Sequence, residues 1–265
     1  MQRWGWQPWG ENLAVAAGVA EVGSTPSTSG RFAWCRWEPM ADVDVIETSP
    51  GALVRTLARV LPGVRETEDQ IPAYVRRWHE QNQAALSSGE PVWVALGDSL
   101  TQGIGASSLD TTFVRQVQRF LAESGRPVPV LNLSVSGARI QDVIDAQLPK
   151  LAALAHEPAF VTCTVGSNDL LRSVRLKRTT TQLRGLFDAL PAGSVVATLP
   201  AAGSIVAKYV NRIIEGEAPL REHRIADVAA HLSGWRRRIA GDGFHPNDEG
   251  YAAWTAAFSA ALTAA

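Results

Sequence analysis

The chain has 265 residues, a formal net charge of −1, and a composition that is 46% hydrophobic and 19% charged. So apolar a chain is not a disordered one, and a near-zero charge gives no electrostatic case for nucleic acid as the main partner. The apolar stretches fall short of the ~20 residues a membrane span needs, and Cys35 and Cys163 form neither a disulfide framework nor a zinc-ligand pair.

Residues 1–39 are unlike the rest. They hold Trp4, Trp6, Trp9, Trp34 and Trp37, five of the nine tryptophans. Gly and Pro interrupt the segment, residues 24–30 (STPSTSG) read as a linker, and no helical or strand period persists. The segment is expected to be a Trp-rich, flexible leader. Residues 13–20 are weakly apolar, but Glu11 and Glu21 bracket them and no basic stretch precedes them. That is a poor signal peptide, so the expected location is cytoplasmic rather than secreted. Met1 and Met40 are the two methionines, which makes Met40 an alternative start.

Residues 40–90 read as a helical extension. Ser49-Pro50 opens a helix carrying Leu53, Leu57, Val60 and Leu61 on one face, and Pro62-Gly63 is expected to end it. Asp69 is the expected cap of a second helix, with Ile71, Val75, Trp78 and Asn82 on its inner face. His79 has no second ligand at a useful spacing and reads as a packing or surface residue.

From Pro91 onward, short apolar runs alternate with amphipathic ones. Strands are expected at 92–96, 128–135, 160–165, 195–199 and 224–228. Helices are expected at 113–124, 139–154, 182–190, 205–215 and 247–262. Such alternation implies βαβ crossovers and a parallel sheet, and near-continuous apolar strands imply a sheet covered on both faces. The expected fold is α/β: a three-layer α/β/α, flavodoxin-like sandwich with a central five-stranded parallel sheet, preceded by a mainly helical extension. Ligands of such sheets bind at the carboxyl ends of the strands.

Four segments follow those strands: Gly97-Asp98-Ser99-Leu100, Ser134-Val135-Ser136-Gly137, Gly166-Ser167-Asn168-Asp169, and Asp242-Gly243-Phe244-His245-Pro246. Taken singly, each has an ordinary structural explanation as a turn, a strand-to-helix corner or a helix cap. Together they bring a nucleophile, hydrogen-bond donors, a carboxylate and a base to one edge of a sheet. In order and spacing they resemble the SGNH hydrolases of the GDSL esterase/lipase family, over residues 91–265. The resemblance implies that Ser99 is the nucleophile, His245 the general base and Asp242 its partner. It implies an oxyanion hole made by the backbone N–H groups of Ser99 and Gly137 and the side-chain amide of Asn168. Ser134 stands where the family often has Gly, which bears on loop shape and leaves the Gly137 donor untouched.

The residue types suit that chemistry. A serine hydroxyl needs an adjacent base, imidazole titrates near neutrality, and a carboxylate orients the ring. Gly137 lets substrate approach its N–H, and Asn168 offers N–H groups without a charge. Asp98 and Asp169, acceptor-only when ionised, read as caps or loop anchors. There is no G-x-S-x-G, no phosphate-loop G-K-[ST], and the Gly103-Ile104-Gly105 start of a dinucleotide pattern meets Ser108 where its third Gly belongs. His79, His156, His223 and His231 form no H-x-x-x-H pair, so neither metal nor cofactor is expected. Arg172, Arg175, Lys177 and Arg178 form a basic run after Asn168, read first as a solvated loop and alternatively as an attractor of anionic substrates. The expected activity is hydrolysis of a small-molecule carboxylic ester, short-chain because no long insertion supplies a lid. The alternatives are O-acyl transfer, sugar deacetylation, and a non-catalytic binding module. Oligomeric state is not encoded in any feature of the sequence.

Overall fold

The computed structural model describes residues 62–172, 175–201, 203–232 and 234–263. The Trp-rich leader, the linker and the helix expected before Pro62 lie outside the described residues. Helix α1 spans Pro62–Ser87. Strand β1 (Trp93–Gly97) leads into the short helix α2 (Ser99–Gln102), and α3 (Phe113–Glu123) crosses to β2 (Val130–Asn132). Helix α4 comprises Ile140–Asp142, a π turn at Val143–Gln147, and Leu148–Ala152. Then come β3 (Phe160–Thr164), α5 (Ser167–Arg172), α6 (Leu176–Ala189), β4 (Val195–Ala197) and α7 (Ile205–Glu217). β5 (Arg224–Ala226), α8 (Val228–His231) and α9 (Asp248–Thr263) complete the chain.

The five strands form one sheet in the order β2-β1-β3-β4-β5, all neighbours parallel. Trp93 pairs with both Val130 and Phe160, and Val195 pairs with Thr162 and Arg224. This is the doubly wound order in which the winding reverses beside β1, leaving a crevice at the carboxyl ends of β1 and β3. Every residue of β1 is buried, as a strand covered on both faces requires.

Period-two alternation divides the core between the faces. Trp93 and Ala95 join Trp78, Phe113, Trp254 and Phe258, from α1, α3 and α9. Val94 and Leu96 join Ile140, Leu183, Phe187 and Val210, from α4, α6 and α7. Phe113 stacks on Phe258 at a centroid distance of 4.8 Å, and Trp93 on Phe160 at 5.3 Å.

Three elements depart most from their expected boundaries. Pro62-Gly63 opens α1, seven residues before the expected cap at Asp69, because a proline in the first turn has no intrahelical donor to lose; the helix expected to end at Pro62-Gly63 lies outside the described residues. Asp69 is therefore internal, as is Pro72, which leaves the Glu68 carbonyl without its ladder donor. The inner face of α1 is as expected, with Val75, Trp78 and Asn82 buried and Ile71 packed against the core. The β2 ladder stops at Asn132, although the Leu133 and Val135 N–H groups still donate to Ala95 O and Gly97 O at 2.9 and 3.2 Å. Helix α6 starts at Leu176 rather than at 182, so Lys177 and Arg178 lie in its first turn and not in a loop.

Candidate active site

Ser99 comes directly off β1. Asp98 caps the turn that follows, its Oδ1 accepting the Leu100 N–H at 2.9 Å. Ser99 is thus the first residue of a helical turn, where the backbone N–H has no intrahelical acceptor. Gln102, the last residue of the turn, reaches the loop after β2. Its Nε2 donates to Ser134 O at 3.1 Å and its Oε1 accepts the Ser136 hydroxyl. Gly137, next in that loop, has φ 79°, a left-handed conformation that favours glycine.

The loop from 239 to 247 folds onto this turn. Ile239 and Pro246 form an antiparallel bridge, Gly243 turns with φ 74°, and the Asn247 side chain donates to Arg237 O and Ile239 O at 2.9 and 3.2 Å. Asp242 Oδ1 accepts the N–H groups of Phe244 and His245 at 2.9 and 3.0 Å, and its Oδ2 bonds His245 Nδ1. His245 Nε2 lies 2.8 Å from Ser99 Oγ. Burial pushes the Asp242 carboxyl upward, but the bond to His245, the charge there and the two backbone donors outweigh it, so its pKa lies below the ordinary value. Ser99, His245 and Asp242 therefore form one continuous hydrogen-bonded chain. A carboxylate held ionised against Nδ1 leaves Nε2 to face the hydroxyl.

Asn168, in α5 at the end of β3, is buried beside this chain. Its Nδ2 donates to Asp98 Oδ2 at 3.2 Å and to Ala138 O at 3.0 Å. The family resemblance implies that this amide is an oxyanion donor. Here both hydrogens are engaged, and a developing oxyanion would have to draw one of them away. Asp169 accepts the Ile140 N–H at 3.1 Å and so anchors the start of α4, with its carboxyl raised by burial.

For several residues at the site, the structure shows contacts that the sequence reading missed. Asp98 is a cap, as expected, but it is also the partner of Asn168. It is 1% exposed, and burial raises its carboxyl to about 7. Gln147, projecting from the π turn, accepts from Gly97 N at 2.8 Å and donates to Gly97 O at 2.7 Å. Glu68 of α1 is close enough to His245 and Asp242 for their charges to bear on it, and burial raises its carboxyl. The available signal was a polar side chain on an otherwise apolar face, as with Gln147 among Val143 and Leu151. Of the basic run, Arg175, Lys177 and Arg178 are exposed. Among the described residues, no three His, Cys, Asp or Glu side chains stand together as a metal site, and no helix is long and apolar enough to cross a membrane.

No curated protein matches the sequence. Solved structures share the fold. TesA superposes with a TM-score of 0.57 at 22% identity, over 65% of this chain and 98% of its own. A member of the lipolytic protein G-D-S-L family from Veillonella parvula gives 0.57 at 15% identity, over 66% and 100%. An acetylxylan esterase from Geobacillus stearothermophilus gives 0.51 at 17%, over 65% and 94%. A family model for GDSL-like lipases/acylhydrolases matches residues 95–253, from within β1 into α9. With more than half the chain matched, and with Ser99, Asn168, Asp242 and His245 all inside the match, the protein belongs to the GDSL-like lipase/acylhydrolase family and is an ester-hydrolysing enzyme.

Proposed function

We propose that the protein is a serine esterase that forms an acyl-enzyme on Ser99. The observation that carries this is the hydrogen-bonded chain from Ser99 Oγ through both nitrogens of His245 to Asp242. Ser99 Oγ attacks the ester carbonyl carbon as its proton passes to His245 Nε2. Asp242 stabilises the imidazolium so formed. The tetrahedral oxyanion is received by the N–H groups of Ser99 and Gly137 and by the Asn168 amide, once that amide yields one of its present bonds. Collapse breaks the C–O bond, and the departing alkoxide takes the proton from Nε2. Water then repeats the sequence on the acyl-enzyme, giving its proton to Nε2, and Ser99 recovers a proton when the acid leaves.

The preferred substrates are short-chain carboxylic esters, in keeping with a sequence that has no long insertion between the strand-end blocks. Sugar acetates are the second class, because an acetylxylan esterase has the same fold.

The test is labelling of the full chain with a fluorophosphonate, followed by peptide mapping, with Ser99→Ala beside it. Ester turnover is then screened by acyl length, with acetylated sugars and with added alcohol acceptors. Modification at Ser99 is expected, with turnover in Ser99→Ala reduced by about 1,000-fold or more. A folded protein that hydrolyses esters without labelling at Ser99 would refute the assignment. Product esters formed with the added alcohol would mark it as an acyltransferase.

A further inference from the structure

Helix α1 lies ahead of residues 95–253, the part the family model matches. Yet its side chains are bonded to the backbone that leads away from Ser99. Trp78 Nε1 donates to Gln102 O at 2.9 Å, and the Tyr74 hydroxyl donates to Ala106 O at 2.8 Å. Gln70 makes two bonds, its Nε2 donating to Ala106 O at 3.3 Å and its Oε1 accepting the Gly105 N–H at 2.9 Å. Positions 70, 74 and 78 are one turn apart, so a single stripe of α1 grips the segment from Gln102 to Ala106.

The other side of that segment is where His245 rests. Gly105 has φ 94°, and a Cβ there would stand 2.8 Å from His245 Cβ and 2.5 Å from Pro246 O. The bare Gly105 backbone is thus the surface on which the imidazole-bearing residue packs. The first turn of α1 reaches the same loop from its other end. A Cβ at Gly63 would collide with the carbonyl of Gly241, the residue before Asp242. Glu68, between these two contacts, interacts electrostatically with both His245 and Asp242.

The bonds between Asp242 and His245 are internal to their loop. They fix the ring within the loop but not the loop against Ser99. That distance depends on what holds the loop: Gly105 and α1, which it packs upon, and Ser107 and Thr111, which bond Asp248 just after the loop. We propose that Gln70 is a positioning residue of the active site, clamping Gly105 as the seat of His245, so that α1 completes the catalytic arrangement. This rests on Ser99 and His245 being the catalytic pair. Gln70 touches no reacting atom and acts through Gly105.

Asn82 supplies a matched control. It is also an α1 amide with two backbone bonds, both 2.8 Å, but to Asn132 in β2 rather than to the seat of His245. Gln70→Ala, Gln70→Glu, Asn82→Ala and Ser99→Ala are made in the full chain, and kcat, KM and Tm are measured with 4-nitrophenyl acetate. A misplacement of about 1 Å in a catalytic geometry can cost about 100-fold, so a partial loss of the seat in Gln70→Ala is expected to lower kcat and kcat/KM together by about 10-fold. Gln70→Glu keeps the acceptor for Gly105 N–H and is expected to recover kcat to within about 3-fold of the parent. Asn82→Ala is expected to lose at least as much Tm while keeping kcat within about 3-fold.

Parental kcat in Gln70→Ala would overturn the proposal. So would no recovery in Gln70→Glu, or kcat losses that simply track Tm in both alanine variants. A fully active Ser99→Ala would remove the catalytic assignment and the proposal with it. An inactive Ser99→Ala beside an unaffected Gln70→Ala would sink the proposal alone.

Discussion

At Asp98, between Ser99 and Asn168, both carboxylate oxygens are occupied: Oδ1 by the Leu100 N–H and Oδ2 by the Asn168 amide. A carboxylate aims an amide nitrogen toward itself, which sets the rotamer of Asn168. Burial nonetheless raises the Asp98 carboxyl to about 7. Its folded pKa therefore lies above the unfolded one. The stability it contributes is fully present below the ordinary carboxylate range and is lost as pH rises to about 7. Asp98→Asn removes this titration and is expected to flatten the decline of unfolding free energy between about pH 5 and 8, measured by urea denaturation. It also turns an amide donor toward Asn168, so ester turnover should fall by about 10-fold or more. Equal pH slopes in the two proteins would mean that Asp98 titrates at its ordinary value. Ser99, His245, Asp242 and Asn168 stood out as candidates in the sequence through the four strand-end blocks and their resemblance to the GDSL family. The link from Asp98 to Asn168 was not, since 70 residues separate them and only the pairing of β1 with β3 brings them together.

Among the elements, the π turn of α4 shows how local irregularity serves the site. An extra residue in one turn rotates Gln147 inward, where it satisfies both backbone groups of Gly97 at the end of β1. Gly97 itself has φ 144°, and a Cβ there would collide with Thr164 O, so β1 and β3 approach more closely than a side chain allows. Gln147→Leu leaves the Gly97 N–H buried without its Gln147 acceptor, at about 1–3 kcal/mol, while the Gly97 carbonyl keeps the Val135 N–H. The expected outcome is a loss of Tm with a partial loss of turnover, because Gly97 carries Asp98 and Ser99. An unchanged Tm would mean that another group or water takes over those bonds. Periodicity found the helix, but it could not foresee a π turn, which depends on a side chain finding partners 50 residues away. The start of α1 was misread for a related reason. Pro-Gly signals a break in isolation, yet Gly63 is needed where the helix meets Gly241.

Over the whole molecule, the basic run follows the helix that carries Asn168. Arg175, Lys177 and Arg178 are exposed just after α5, while the charge of His245 bears on Glu68 of α1. Lys177 and Arg178 occupy the first turn of α6, where the helix dipole disfavours cations. Neutralising all three to Gln should therefore not lower Tm. It is expected to raise KM for an anionic ester by about 3-fold or more at low salt, an effect lost at high salt, with KM for a neutral ester unchanged. Equal changes for both esters would make these residues a solvated surface only.

The sequence by itself determined the strand–helix alternation, the two-sided burial of the strands and the four strand-end blocks, because periodicity and turn chemistry are local properties of a chain. The tertiary structure alone decided the sheet order, the burial that raises Asp98, the occupied amide of Asn168 and the seating of His245 through Gly105 on α1. Each of these depends on contacts between residues distant in sequence, and such contacts exist only once the sheet has assembled and excluded water from between its layers.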